Sequence, residues 1–263
     1  MSLYFINKEN PVSTYEDLKQ AYLDHPKKVG SWGDKKSAES MANYWFNKDH
    51  KNFNSILMDM FGEFSLGDGY FEYCTIFDES TRGPREHDMC FPYVNAGVHT
   101  ITIGIEAKGN EPYDKLISKQ IEIGQRKISD GKNTKLLDRV QSMYLAMGEP
   151  SQSRLRSIKD FFSIRYQLFS GLCGTIAEAN AQHSNTALFL ILQFETEIAD
   201  QKSLDRNKTD LLDFLKFMRI SNDIKSGQIL NISAEFKEVD DFKIKYSTKD
   251  LEVYIGYLNI KLD

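Results

Sequence analysis

The stretch TALFLILQF, residues 186–194, constrains the fold more than any other. It is a continuous apolar run of strand length, and a strand that is apolar on both sides needs cover on both faces. The segment before it, roughly 153–182, repeats Ile158, Phe161, Phe162, Leu168, Phe169, Leu172 and Ile176 at helical spacing. A buried strand reached through such a helix is most simply placed parallel to an earlier strand, through a crossover connection.

The earlier strands lie in the first half. YFEYCTIFD (70–78), DMCFPYV (88–94) and VHTITIGIEAK (98–108) are separated by turns at Gly83-Pro84 and Asn95-Ala96-Gly97, which predicts an antiparallel meander. Before it come a short apolar start at Leu3–Ile6, a helix over about 14–23 and the helical pieces SAESMANYWFN and NFNSILMDMF. Asp34 or Ser37 is placed to cap the first of these two pieces. After the meander a helix is expected from Pro112, with Glu111 favouring its N-terminus, and then LLDRVQSMYLAM. A helix introduced by Asn207 and the strands QILNISAEF and LEVYIGYL close the chain. The reading is an α/β protein: an αβββαβ core over 34–196 with a mixed sheet flanked by helices. Residues 1–33 form an N-terminal extension, and 197–263 a C-terminal α+β extension packing on the core.

Composition narrows the function classes. The net charge of -5 counts against an open scaffold for non-specific DNA binding, while leaving room for a local basic patch. Three cysteines, Cys74, Cys90 and Cys173, show no CxxC spacing. They read as buried thiols in a reducing, cytoplasmic setting, without structural zinc. The start MSLYFINKEN is too polar for a signal peptide, and no run reaches the roughly 18 apolar residues of a membrane span.

The chemistry concentrates at the end of the third meander strand. Strand alternation puts Ile101, Ile103 and Ile105 on one face, and Thr102, Gly104, Glu106 and Lys108 on the other, the last two about 7 Å apart. Gly104 leaves space on that face. Asp88 opens the neighbouring strand, 18 residues before Glu106, so the two acids can converge. Two carboxylates suit Mg²⁺ or Mn²⁺, and a nearby lysine suits a phosphate or an attacking water.

These residues carry a resemblance. Asp88, then Glu106-Ala107-Lys108 ending an apolar strand within an αβββαβ order, is similar to the signature of the PD-(D/E)XK, or restriction-endonuclease-like, nuclease superfamily. SWGDKKSAESMANYW, REHDMCF, IGIEAKGNEPYD and RYQLFSGLCGTIAEA resemble stretches of an uncharacterised bacterial family within it, over roughly 28–196. The resemblance implies a restriction-endonuclease-like core and divalent-metal-dependent phosphodiester hydrolysis. It implies Asp88, Glu106 and the Ala107 carbonyl as ligands of Mg²⁺ or Mn²⁺, and Lys108 as catalytic lysine. The implied substrate is nucleic acid, DNA ahead of RNA, with no membrane partner and room for a homodimer. His87 stands where the superfamily motif has proline.

Other readings stay open. Glu106 and Lys108 could be a solvated strand end with an ion pair worth ~0–1 kcal/mol, and Asp88 a strand-start residue. The fold could serve as a catalytically inactive binding or assembly module, or hydrolyse another phosphate ester. Candidate accessory residues are Glu72, His87, Glu111, Gln120, Arg165 and Gln167, each with a structural alternative: an exposed edge, a loop histidine, a helix cap, or ordinary hydrogen bonds.

Overall fold

The computed structural model describes residues 1–6, 10–33, 36–48, 50–77, 84–146, 158–197, 200–221, 223–233 and 250–262. One mixed sheet forms the centre. The strands are β1 (Leu3–Phe5), β2 (Ser65–Leu66), β3 (Gly69–Thr75), β4 (Arg85–Ala96), β5 (His99–Lys108), β6 (Thr186–Thr196), β7 (Gln228–Asn231) and β8 (Glu252–Leu262). Their order is β1-β3-β4-β5-β6-β8-β7, with β2 paired to β4.

The meander forms as expected: β3, β4 and β5 are antiparallel, with Tyr70 opposite Cys90 and Cys90 opposite Gly104. The apolar run becomes β6, parallel to β5 with Ile101 opposite Thr186 and Lys108 opposite Gln193. From Thr186 to Phe194 it is buried throughout, which fits its unbroken apolar sequence.

One face is covered by α1 (Tyr15–Asp24), α2 (Ser37–Phe46) and α3 (Lys51–Phe61). Trp45, Phe53, Ile56 and Leu57 pack there with Phe91, Ile101, Ile103 and Ile105, in one apolar cluster. Thr14 and Asp17 form a reciprocal capping box at the start of α1. The other face is covered by α4 (Ile117–Ser129), α5 (Leu136–Ala146), α6 (Ile158–Phe162), α7 (Tyr166–Ala181) and α8 (Gln201–Phe217). Leu168, Phe169, Leu172, Cys173 and Ile176 of α7 join Phe189 and Ile191 in the second cluster.

Several expectations change. The helix expected from Pro112 starts at Ile117, because the intervening loop is tied to the start of α7: Ile117 N–H donates to Ile164 O and Tyr166 N–H to Lys115 O. The long helix before β6 is broken between Phe162 and Tyr166. Helix α2 takes no side-chain cap from its own N-cap, Lys36. Helix α8 begins at Gln201, capped by Asp200, with Asn207 buried inside it rather than introducing it. The C-terminal segment also completes the sheet: β8 is parallel to β6 at 11 register positions. Cys90 and Cys173 are buried, whereas Cys74 is half-buried. Asp34, the turn at 78–83, residues 147–157 and the tail of the 228–236 strand lie outside the described residues. Among the described residues no helix is long and apolar enough to cross a membrane.

Gly104 lets α7 pack closely on β5. A Cβ there would overlap the Thr175 hydroxyl and meet the His87 ring at 3.0–3.1 Å. Gly104→Ala is therefore expected to cost roughly 1–3 kcal/mol of stability by overpacking, measured by denaturant unfolding. An unchanged midpoint would contradict this packing.

Candidate active site

The chain brings the predicted residues together where β4 begins and β5 ends. The Met89↔Ile105 pair is the last backbone pair of the β4–β5 ladder on this side. Beyond it, the Asp88 carboxylate accepts the Ala107 N–H at 2.6 Å. An extended strand turns the N–H and C=O of one residue to the same side, so the Ala107 carbonyl also faces β4.

Glu106 is fully buried and Lys108 is 4% exposed. The Lys108 ammonium lies 2.6 Å from Glu106 Oε1, and the Arg85 guanidinium pairs with Glu106 Oε2. Lys108 also lies 5.5 Å from the centre of the Tyr113 ring. The expectation of a solvated strand end does not describe this pair, which is enclosed by the helices. Burial, then the charge of Asp88, pushes the Glu106 carboxyl up to about 7, against the opposing pull of Lys108 and Arg85. Burial pulls the Lys108 ammonium down, but Glu106, Asp88 and Glu111 outweigh it and the net shift is upward.

Glu72 approaches from β3. The pairs Phe71↔Met89 and Tyr73↔His87 bracket it opposite Asp88. It is buried, and its φ of 56° is left-handed, a conformation that costs a non-glycine residue roughly 1–3 kcal/mol. Its carboxylate accepts from Tyr22 Oη at 2.7 Å and from Lys28 Nζ at 2.5 Å, and Lys28 also reaches Glu86 at 2.7 Å. Burial and Asp88 raise its carboxyl, with Lys28 and Tyr22 opposing. Two residues of the N-terminal segment thus reach the strand beside Asp88.

The remaining candidates serve other groups. His87 is fully buried, with Nε2 3.3 Å from Thr75 Oγ1, and burial followed by Arg85 holds it well below the usual imidazole range. Glu111 does not cap α4: its carboxylate accepts from Ser37 N–H at 2.7 Å, at the start of α2, and from Gly109 N–H at 3.2 Å. Gln120 and Gln167 both hold Asp114, at 2.8 and 3.0 Å. Arg165 pairs with Asp210 of α8 at 2.9 Å and donates to Asp114 O.

Sequence reasoning missed Arg85, Tyr113, Tyr22 and Lys28. Arg85 stands in REHDM, three positions before Asp88, but its register in β4 sets it opposite Thr75 of β3 and does not point to Glu106. Tyr113 read as part of a helical stripe. Tyr22 and Lys28 lie 50 and 44 positions from Glu72, and no local pattern links them.

A hard divalent cation fits this donor set in kind. Asp88 and Glu106 carry carboxylate oxygens and Asp88 adjoins the Ala107 backbone, and Mg²⁺ takes few protein ligands while keeping waters. Glu106 Oε1 and the Tyr113 hydroxyl are buried without an aligned hydrogen bond. Among the described residues no group of three or more His, Cys, Asp or Glu side chains is arranged for a metal. A cation here would rest on two carboxylates, with no dedicated protein cage.

The raised Glu106 carboxyl gives a pH signature. Between its ordinary value of 4.5 and about 7 the folded chain holds a proton here that the unfolded chain has released. Stability from this group is therefore lost as pH rises through that window. His87, buried neutral, acts oppositely below its ordinary 6.5, so the comparison must isolate Glu106. The stability difference between wild type and Glu106→Gln is expected to fall from about pH 4.5 to 7 and then flatten, followed by urea unfolding. A difference independent of pH would contradict the buried carboxyl.

No curated protein and no solved structure matches the chain. One family does, over residues 11–261. With nearly its whole length covered, the chain belongs to the family described as Domain of unknown function (DUF6946).

Proposed function

We propose that this site performs divalent-metal-dependent phosphodiester hydrolysis on nucleic acid, DNA ahead of RNA. The observation that carries the proposal is the buried Glu106, touched by Lys108 and Arg85 and adjoining Asp88 at the edge of a ladder. Burying a carboxylate with two cations is expensive for stability alone, and strongly shifted groups concentrate at functional sites. The β3-β4-β5-β6 order, with β6 parallel to β5, accords with the PD-(D/E)XK resemblance.

Asp88 and Glu106, with the Ala107 carbonyl, would hold Mg²⁺ or Mn²⁺. Bound there, the ion supplies an acidified water and neutralises charge gathering on the phosphate. Lys108, a compact ammonium, offers a hydrogen bond to a non-bridging phosphate oxygen or orients the attacking water. Arg85 keeps Glu106 aligned and adds a second positive charge facing the phosphate. Tyr113 and the enclosing helices exclude bulk water around Lys108, which strengthens each of these interactions.

A second reading is a nuclease-fold module that binds or assembles without catalysis. It is favoured by the engagement of both Glu106 oxygens by the chain's own cations and by the net charge of -5. Hydrolysis of another phosphate ester would use the same groups. A reducing, cytoplasmic setting accords with the three free thiols.

Cleavage of DNA and RNA substrates with Mg²⁺ or Mn²⁺ tests the proposal. Asp88→Asn and Lys108→Met are each expected to lower the rate by about 100-fold or more while remaining folded. Absence of cleavage in the wild type, or variants cleaving at its rate, would remove the nuclease reading.

A further inference from the structure

Arg85 has a second role. Besides pairing with Glu106, it lines a cavity of about 260 Å³ between the start of β4, the loop after β5 and the first turn of α7. Glu86, Asp114, Arg139, Tyr166 and Gln167 also form its walls. We propose that this cavity receives a nucleobase, that of the nucleotide bearing the scissile phosphate. The inference rests on the phosphodiesterase reading and specifies its substrate as nucleic acid with an unpaired base at the cleavage position.

Size, charge and chemistry point the same way. The volume lies below the ~300–1,000 Å³ usual for pockets of drug-sized ligands, which suits one flat heterocycle. Arg85 and Arg139 stand with Glu86 and Asp114 among the lining residues, so the lining is formally neutral. A formally neutral lining gives a phosphate no excess of positive charge, whereas an uncharged polar ring can use groups of either sign. Guanidinium, carboxylate and carboxamide groups are the ones that read base edges, and a tyrosine ring suits stacking.

The walls are already set. The Arg139 guanidinium sits over the Phe77 ring at 5.3 Å, Gln167 accepts from Asp114 N–H at 3.0 Å, and Gln120 holds Asp114 at 2.8 Å. Walls fixed before binding lower the ordering cost of a small ligand. Because Arg85 borders both the cavity and Glu106, a base in the cavity places its own phosphate beside the reactive groups. A base inside a duplex cannot reach such a cavity without leaving the stack, so single-stranded or locally opened substrates are selected.

The test is an equilibrium titration of the four deoxynucleosides, without metal, against wild type, Arg139→Ala and Gln167→Glu. Gln167→Glu keeps the oxygen that accepts from Asp114 and changes only the amide end, so it reports on the cavity even if Arg139→Ala fails to fold. At least one nucleoside is expected to bind the wild type, to resist displacement by inorganic phosphate, and to bind Gln167→Glu about tenfold more weakly. No nucleoside binding, equal binding by the variant, or displacement by phosphate overturns the proposal. The readout needs no turnover. A protein that binds nucleosides without cleaving keeps the cavity and loses the reaction, and one that cleaves without binding them does the reverse.

Discussion

The contact on which the site depends is the buried ion cluster at the end of β5, where Glu106 meets Lys108 at 2.6 Å and pairs with Arg85. Taking a carboxylate out of water costs several kcal/mol even after relaxation, and close cations recover that only with good geometry. Removing one partner would leave a buried charge uncompensated, so the surrounding elements must hold all three. They do so from β4, β5 and, through the close packing at Gly104, α7. The loop leaving β5 is fixed by Gln193 and Asn207, whose side-chain amides donate to Gly109 O and Glu111 O at 3.2 and 3.0 Å. Glu111 then joins that loop to the start of α2. Both helical layers are thereby referenced to one strand end.

The N-terminal segment contributes to the same place. Glu72 holds a left-handed backbone within a strand, a strain that persists only where its surroundings over-determine it. Tyr22 and Lys28 supply that determination by binding its carboxylate. The result is a second acid opposite Asp88 whose charge Lys28 offsets. Glu86, also bound by Lys28, connects this pair of strands to the rim of the cavity.

The sheet and its site were legible in the sequence to different depths. Strand periodicity and the apolar 186–194 run specify the meander and the parallel β6, because burial on one or two faces leaves a direct pattern. Glu106 and Lys108 stood out because charges ending a buried strand break that pattern. Helix boundaries were less legible. The start of α4 depends on backbone bonds to residues about 50 positions away, and Glu111 caps a helix 74 positions earlier. Arg85, Tyr22 and Lys28 reach the site through tertiary packing, which one-dimensional spacing does not encode. The role of β8 was hidden for the same reason: a strand's place within a sheet, unlike its existence, depends on its neighbours.

The central claim is that Asp88 and Glu106 act together on a divalent cation beside Lys108. A calorimetric titration with Mn²⁺ tests it most directly, without a substrate or turnover. Saturable binding to the wild-type protein is expected, and its loss in both Asp88→Asn and Glu106→Gln. Absence of binding, or binding indifferent to both substitutions, would contradict it and leave the ion cluster a structural feature of the fold.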